Sequence, residues 1–454
     1  MAKLVYSEDG RLLFTEEMKQ EYTLLMPQML PVHFAMLREI FVLHGYKAEM
    51  LTTNHRGIVD MGLKYVHNDT CYPALLVIGQ LLDAVESGKY DPHKVGLLIT
   101  QTGGGCRASN YIHLLRKALA RAGYDYIPVV SINLSGLEKN PGFSMDLTFI
   151  RQAAYAMLYG DIIVHMANQC RPYELVEGET DRRIKYWKKR LVEEFRGKGS
   201  FKTAHIRENF NAITDDFAAI PVHRVPKVRV GVVGEIYVKF APLGNNNLEE
   251  FLRSEDCEPV VPGLTDFILF KCDNRVEDHR IYGGKTLTFL GASVLKKYVA
   301  GLQRDMIAAV ARHPEFRIPC TFEHLKTLVR GYLHYGNKMG EGWLLTGEML
   351  ELIDSGICNI VCTQPFGCLP NHVAGKGMVR KIKNNLPQAN IVCIDYDPGA
   401  TRINQENRIK LMLANARLNE QKAQTAAPVK RQAAEPTADS AEMPSAGETA
   451  GSRA

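Results

Sequence analysis

No stretch of about 18 consecutive apolar residues occurs in the 454-residue chain, so no membrane-spanning helix is expected. The opening MAKLVYSEDGRLLF has no basic run ahead of an apolar segment. It does not read as a signal peptide, and a cytoplasmic location is expected. The net charge of +5 is small for this length, which argues against a nucleic-acid or membrane partner. There is no GxxxxGK[ST] loop, and the one glycine run, TQTGGGCRASNY, is not followed by the acid of a dinucleotide fingerprint. Paired C-x-x-C ligands are missing, and no internal repeat of short period is found. What remains is an ordinary globular composition, 46% hydrophobic and 23% charged, long enough for two or three domains.

Two features are present in quantity. The first is an alternation of apolar runs with helical patterns. Strands are expected at 47–52 (KAEMLT), 95–100 (VGLLIT), 125–132 (DYIPVVSI), 161–166 (DIIVHM), 228–233 (VRVGVV), 359–363 (NIVCT) and 390–395 (NIVCID). Helices are expected at 57–66, 111–122 and 145–158. Buried parallel strands read as unbroken Val/Ile/Leu runs between helices, so the class is α/β with two Rossmann-like parallel sheets. The helix DRRIKYWKKRLVEEFR turns Ile184, Trp187 and Leu191 inward and leaves its charges in water. GKGSFKTAHIRENF reads as a linker. The expected domains are 1–220 and 221–419, followed by a tail over 420–454 rich in Ala, Pro, Glu, Ser and Thr, which is expected to be disordered.

The second feature is ten cysteines. In a reducing compartment they are free, catalytic or metal-bound rather than paired, and many are simply small buried apolar residues. Cys358, Cys362 and Cys393 lie in or beside apolar strands, where burial accounts for them. Four others sit at junctions. Cys106 follows a strand and a glycine turn and precedes a helix. Cys71 follows polar capping residues and has Pro73 close behind. Cys368 follows a strand and a Pro-Phe-Gly turn. Cys170 follows the expected strand DIIVHM. Ligands bind at the carboxyl edge of parallel sheets, and helix N-termini there favour negative charge. Thiolates converging from separate loops suit an iron–sulfur cluster or a zinc ion, and glycine lets backbone approach a bulky anion.

The segments NDTCYPA, TGGGCRASNY, RPYE, VGVVGEIYV, GEGWLLTGEM and QPFGCLPNHVAGKG…PQANIVCIDYDPGATRINQENRIKL resemble the 2-hydroxyacyl-CoA dehydratase-related proteins. The likeness is closest to the acyl-CoA dehydratase activase-related chains, in the part beyond their ATPase domain, and it runs over residues 24–415. The resemblance implies a cluster held by Cys71, Cys106 and Cys368, either a [4Fe-4S] cubane or a double-cubane [8Fe-9S] cluster shared between two subunits. Cys170 departs from that pattern; it is a fourth ligand or lies near the cluster by accident of its loop. The resemblance also implies a dimer, and an acyl-CoA or other small-molecule substrate. No ATPase pattern occurs in this chain, so low-potential electrons would come from a separate ATP-hydrolysing activator.

Groups expected to donate to cluster sulfur or to a substrate oxygen are Arg107, Ser109, Asn110, Asn371 and His372; capping and turn stabilisation is the competing role for each. HYGNKMGEGWLLTGEM, with His334, Lys338 and Glu341, reads either as a mobile substrate loop or as a plain glycine-rich connection. Two other functions compete with a redox enzyme. One is a non-catalytic electron-transfer or scaffold subunit. The other is a structural zinc protein using Cys71, Cys106, Cys170 and Cys368.

Overall fold

The computed structural model of the chain describes residues 2–67, 69–101, 104–132, 138–197 and 202–426. Two four-stranded parallel sheets form the frame. The first is ordered β2-β1-β3-β4, from β1 (Thr23–Pro27), β2 (Lys47–Leu51), β3 (Val95–Thr100) and β4 (Val129–Ile132). The second repeats that order as β6-β5-β7-β8, from β5 (Val228–Gly234), β6 (Cys257–Val260), β7 (Asn359–Pro365) and β8 (Asn390–Tyr396). All neighbouring strands are parallel. In each sheet the winding reverses beside its first strand, between β1 and β3 and between β5 and β7. Such switch points open crevices at the carboxyl ends of the strands.

The apolar runs form strands because both faces of each sheet are covered. On β1, Leu24 and Met26 enter one apolar cluster and Leu25 enters the other. The cluster around Leu25 also takes in Val228, Val230, Val232 and Ile394 of the second sheet, so one core joins the two halves. Its centre is the helix Tyr72–Glu86, in which 13 of 15 residues are buried. A helix that is apolar all round has no water-facing side and must be enclosed. It crosses the helix Arg56–Tyr65 at two glycines. A Cβ on Gly79 would lie 2.1 Å from Ile58 O, and one on Gly62 would lie 2.4 Å from Leu75 O. Bare backbone is therefore what sets this helix–helix distance.

Several sequence expectations need correction. DIIVHM is no strand: it is the interior of a 24-residue helix, Leu147–Cys170. The Asp146 carboxylate starts this helix by accepting from Phe149 N at 2.7 Å. Its run is apolar because the helix is buried, and a short apolar run does not tell a buried helix from a strand. The fourth strand begins at Val129 rather than at 125. Much of the expected linker is helical, over Thr203–Ala218. Strands β1 and β6 carry no long apolar run and were not expected. The terminal helix Arg402–Ala426 passes the expected start of the tail at 420; residues 427–454 lie outside the described residues. Ile184, Trp187 and Leu191 are buried as expected. Among the described residues no helix is long and apolar enough to cross a membrane.

Two glycine substitutions should move stability in opposite directions. Gly79→Ala pushes helix backbones apart and should lower the unfolding free energy by about 2–3 kcal/mol. Gly291 is exposed within the helix Thr286–Ala311, with nothing within 4 Å of a would-be Cβ. Gly291→Ala should raise stability by roughly 0.5–1 kcal/mol. Urea unfolding of both variants against the parent chain reads the two signs.

Candidate functional site

Three cysteine-bearing segments meet at the crevice between the sheets. Cys106 lies beyond the end of β3, in extended conformation, and caps a 3-10 turn, Arg107–Asn110, that runs into the helix Tyr111–Ala122. The turn is tied to itself: Ser109 Oγ donates to Cys106 O at 2.7 Å and also to Gly104 O. Gln101 Nε2 donates to Ser109 O at 3.1 Å. Cys71 is the N-cap of the buried helix Tyr72–Glu86, with Pro73 in its first turn. Its Sγ lies 2.8 Å from the hydroxyl of Tyr111, which opens the helix after Cys106. One hydrogen bond therefore links the first two segments.

Cys368 follows β7 in a turn closed by Cys368 N donating to Pro365 O at 3.3 Å. Just before it, Tyr72 N donates to Phe366 O at 2.9 Å, across the crevice. Gly367 has φ of 70°, and a Cβ there would stand 3.1 Å from Cys71 Cα. Only glycine permits this turn and this approach together. A fourth segment closes the side. Gly340 has φ of 59°; a Cβ on it would lie 2.8 Å from Pro370 and 3.9 Å from Cys106 Cβ. A Cβ on Gly105 would lie 2.4 Å from Met339 Sδ. Lys271 Nζ donates to Gly340 O at 2.6 Å and holds this loop down.

Electrostatics agree with that proximity. Burial pushes the Cys71 thiol up to about 11; Glu235 and Cys106 push the same way, against the Tyr111 hydroxyl and the Ala74 amide. Burial also raises Cys368, with Glu235, Glu341 and Cys71 adding to it. Burial thus favours the neutral thiol at both sulfurs. Among the described residues, no three His, Cys, Asp or Glu side chains are grouped closely enough to hold a single metal ion.

Cys170 stands apart. It ends the helix Leu147–Cys170, is fully buried, and its thiol points to Phe217 O at 3.6 Å. It packs in the other apolar cluster with Trp187 and Phe210. Burial pushes it up to about 12, and the charges acting on it are Arg224, Glu174, Glu315 and Arg171, none of them from the crevice. The expected strand-to-helix junction at Cys170 does not exist, because DIIVHM is helical.

The five expected donor residues divide. Arg107 Nη1 donates to Asp69 O, and with Ser109 it fastens the loops that carry Cys71 and Cys106. Asn371 is fully buried and donates to Thr363 O at 2.7 Å, while accepting from Cys362 Sγ at 3.6 Å. It is a peg for the turn. Asn110 and His372 are exposed; His372 N donates to Cys368 O at 3.1 Å. In the glycine-rich loop, Lys338 pairs with Asp278, His334 Nδ1 accepts from Gly336 N at 3.1 Å, and Glu341 is buried.

Sequence reasoning passed over Glu235, Tyr111 and Lys271. Glu235 follows the last residue of β5, at the carboxyl edge beside a switch point, a signal that the run VGVVGE did contain. Its carboxylate accepts from Val238 N at 2.9 Å, and Glu341 Oε1 accepts from Ile236 N at 3.0 Å. Two buried carboxylates thus share the start of one short helix, Ile236–Phe240. Burial first, and then the Glu341 charge, push Glu235 up to about 8. Glu341 is raised by burial, opposed by Lys271 and Lys239. Burial and the like charge of the pair thus favour the protonated form of Glu235.

The fold and crevice define an α/β protein of two like-wound parallel sheets with three thiols at their common edge. No protein-family model matches the chain, and no curated protein shows significant similarity to it.

Glu235 sets a pH test. With its folded value raised from 4.5 to about 8, the stability tied to its protonated form is complete below about pH 4.5 and is lost as pH rises through about 8. Glu235→Gln keeps an acceptor for Val238 N and should flatten the fall in Tm between about pH 5 and pH 8. Melting curves with equal slopes in parent and variant would remove the buried pair as their cause.

Proposed function

We propose that the chain is an iron–sulfur redox protein that receives low-potential electrons from a separate ATP-hydrolysing reductase, with Cys71, Cys106 and Cys368 as thiolate ligands. The observation that carries this reading is the meeting of three thiols from remote segments at one crevice, each within electrostatic reach of another. The donor set is all soft sulfur, which suits iron–sulfur clusters and thiophilic ions. Gly105, Gly340 and Gly367 keep side-chain bulk out of the surrounding loops. A cubane is itself several ångströms wide, so its thiolates stand farther apart than the ligands of one ion. Cys170 belongs to a different core, which leaves three thiols here rather than the four of an all-cysteine zinc site.

Such a group, when bound, supplies one-electron chemistry at low potential. The chain would do the rest. Amides at the helix starts behind Cys71 and Cys106 offset negative charge. Tyr111 Oη, 2.8 Å from Cys71 Sγ, would donate to that sulfur as a thiolate and lower its electron density. Glu235 and Glu341 lie within electrostatic reach of Cys368, and the half-buried ammonium of Lys271 opposes local negative charge. Met339, Phe366, Leu369 and Val373 leave an exposed apolar rim on the loops around the thiols. A partner protein seated there would exclude water. The ATP-hydrolysing partner, and an acyl-CoA or other small-molecule substrate, rest on the resemblance of the sequence motifs.

Anaerobic reconstitution tests this. Iron and sulfide should bind in cluster stoichiometry, with a paramagnetic signal after reduction. Cys71→Ala, Cys106→Ala and Cys368→Ala should each lose most of the iron, and Cys170→Ala should keep it. Retention of full iron by Cys106→Ala, or zinc alone bound to anaerobically prepared protein, would overturn the assignment.

A further inference from the structure

Two cysteines of the second sheet stand side by side. Strands β7 and β8 are parallel, and Cys362 is the direct partner of Cys393 in their register. Residues alternate between the two faces of a strand, and in-register partners on parallel strands share a face. The apolar clusters sort the side chains in that way. Ile360, Cys362, Ile391 and Cys393 pack in one cluster, and Val361, Val392 and Ile394 pack in another. Neighbouring strands lie about 4.8 Å apart, within the roughly 4.4–6.8 Å that a disulfide spans between its Cα atoms. The two thiols are within hydrogen-bond reach of each other.

The pair is uneven in access and in charge. Cys362 is fully buried, its Sγ faces Asn371 Oδ1 at 3.6 Å, and a Cβ on Gly375 would lie 3.6 Å from it. The segment 371–378 therefore covers this sulfur. Cys393 is partly exposed, on the strand at the edge of its sheet. Two cations stand beside it. Lys376 and Arg408 pair with Asp395 at 2.8 and 3.3 Å, and Arg408 Nη2 donates to Cys393 O at 2.7 Å. The Cys362 thiol, and after it these two cations, hold Cys393 below the ordinary thiol range, against burial and Asp395. Cys362 is pushed the other way, by Cys393 first and then by burial. One sulfur is thus favoured as a thiolate nucleophile, and the other as a thiol at its side.

We propose that Cys362 and Cys393 are a modification site: on reaction with a small peroxide they join in a reversible disulfide across β7 and β8. Cys393 Sγ attacks one oxygen of hydrogen peroxide. The O–O bond breaks, an S–O bond forms, and the departing hydroxide takes up the proton that Cys393 released. Cys362 Sγ then attacks Cys393 Sγ. The S–O bond breaks, the S–S bond forms, and the second oxygen leaves as water with the Cys362 proton. Two thiols are oxidised to one disulfide while one peroxide is reduced to two waters. The assignment does not rest on the iron–sulfur reading, because neither sulfur is among its three ligands.

Peptide mass mapping of the reduced full chain, treated with hydrogen peroxide until the partly exposed Cys106 is oxidised, tests it. Trypsin cuts between the two positions, at Lys376 and Lys383 among others. Under non-reducing conditions the peptides carrying residues 362 and 393 should appear linked, and dithiothreitol should separate them. The first peptide also holds Cys358 and Cys368. Cys358→Ala and Cys368→Ala should keep the link, and Cys362→Ala should lose it. In Cys362→Ala, Cys393 should instead gain oxygen; in Cys393→Ala, Cys362 should gain none. No linked peptide from the parent chain once Cys106 is oxidised, a link that survives in Cys362→Ala, or oxygen on Cys362 rather than on Cys393 would overturn the proposal.

Discussion

The amide of Tyr72 reaches the carbonyl of Phe366 at 2.9 Å, and much of the site depends on that bond. It joins the start of a wholly buried helix to the loop after β7, and so joins the two sheets. Tyr72 is buried, so its amide cannot lose this bond cheaply. The bond also fixes what lies beside it. Cys71 is the residue before Tyr72, and Cys368 is two residues beyond Phe366. Gly367 completes the constraint by letting one backbone touch the other. The convergence of the thiols thus follows from packing of the frame and needs no ligand to gather them.

Two buried thiols, Cys71 and Cys368, and two buried carboxylates set the charge state of the crevice. Lost hydration pushes each of the four toward its neutral form, and nearby negative charge adds to it at Cys71, Cys368 and Glu235. The cationic counterweight is small: Lys271 lies in the crevice, while Lys239 is paired with Glu348 at 2.8 Å. Any cationic occupant that takes thiolates must displace protons from these sulfurs, so its affinity rises with pH.

The frame was legible wherever both faces of a strand are buried, because such strands leave unbroken apolar runs: VGLLIT and VRVGVV are examples. It was illegible where strands are short or carry proline. TLLMP and CEPV gave no pattern, although they are β1 and β6. DIIVHM failed in the opposite direction, since enclosure makes a helix as uniformly apolar as a strand. That error carried Cys170 into the candidate ligands. The other three cysteines were legible from capping residues, proline and glycine turns, which are local signals. What brings them together was not legible. The Tyr111–Cys71 bond, the Gly340 approach to Pro370 and the paired carboxylates of Glu235 and Glu341 all join residues far apart in the chain. No local spacing encodes such contacts.

The seating of Cys71 and Cys368 on opposite banks of the crevice has a mechanical result. Any group bonded to both sulfurs acts as a clasp across roughly 300 residues of chain, far longer than most natural cross-links span. Closing so long a loop removes disorder chiefly from the unfolded ensemble. The occupant of the crevice would then serve the protein as a fastener, quite apart from any electrons it carries.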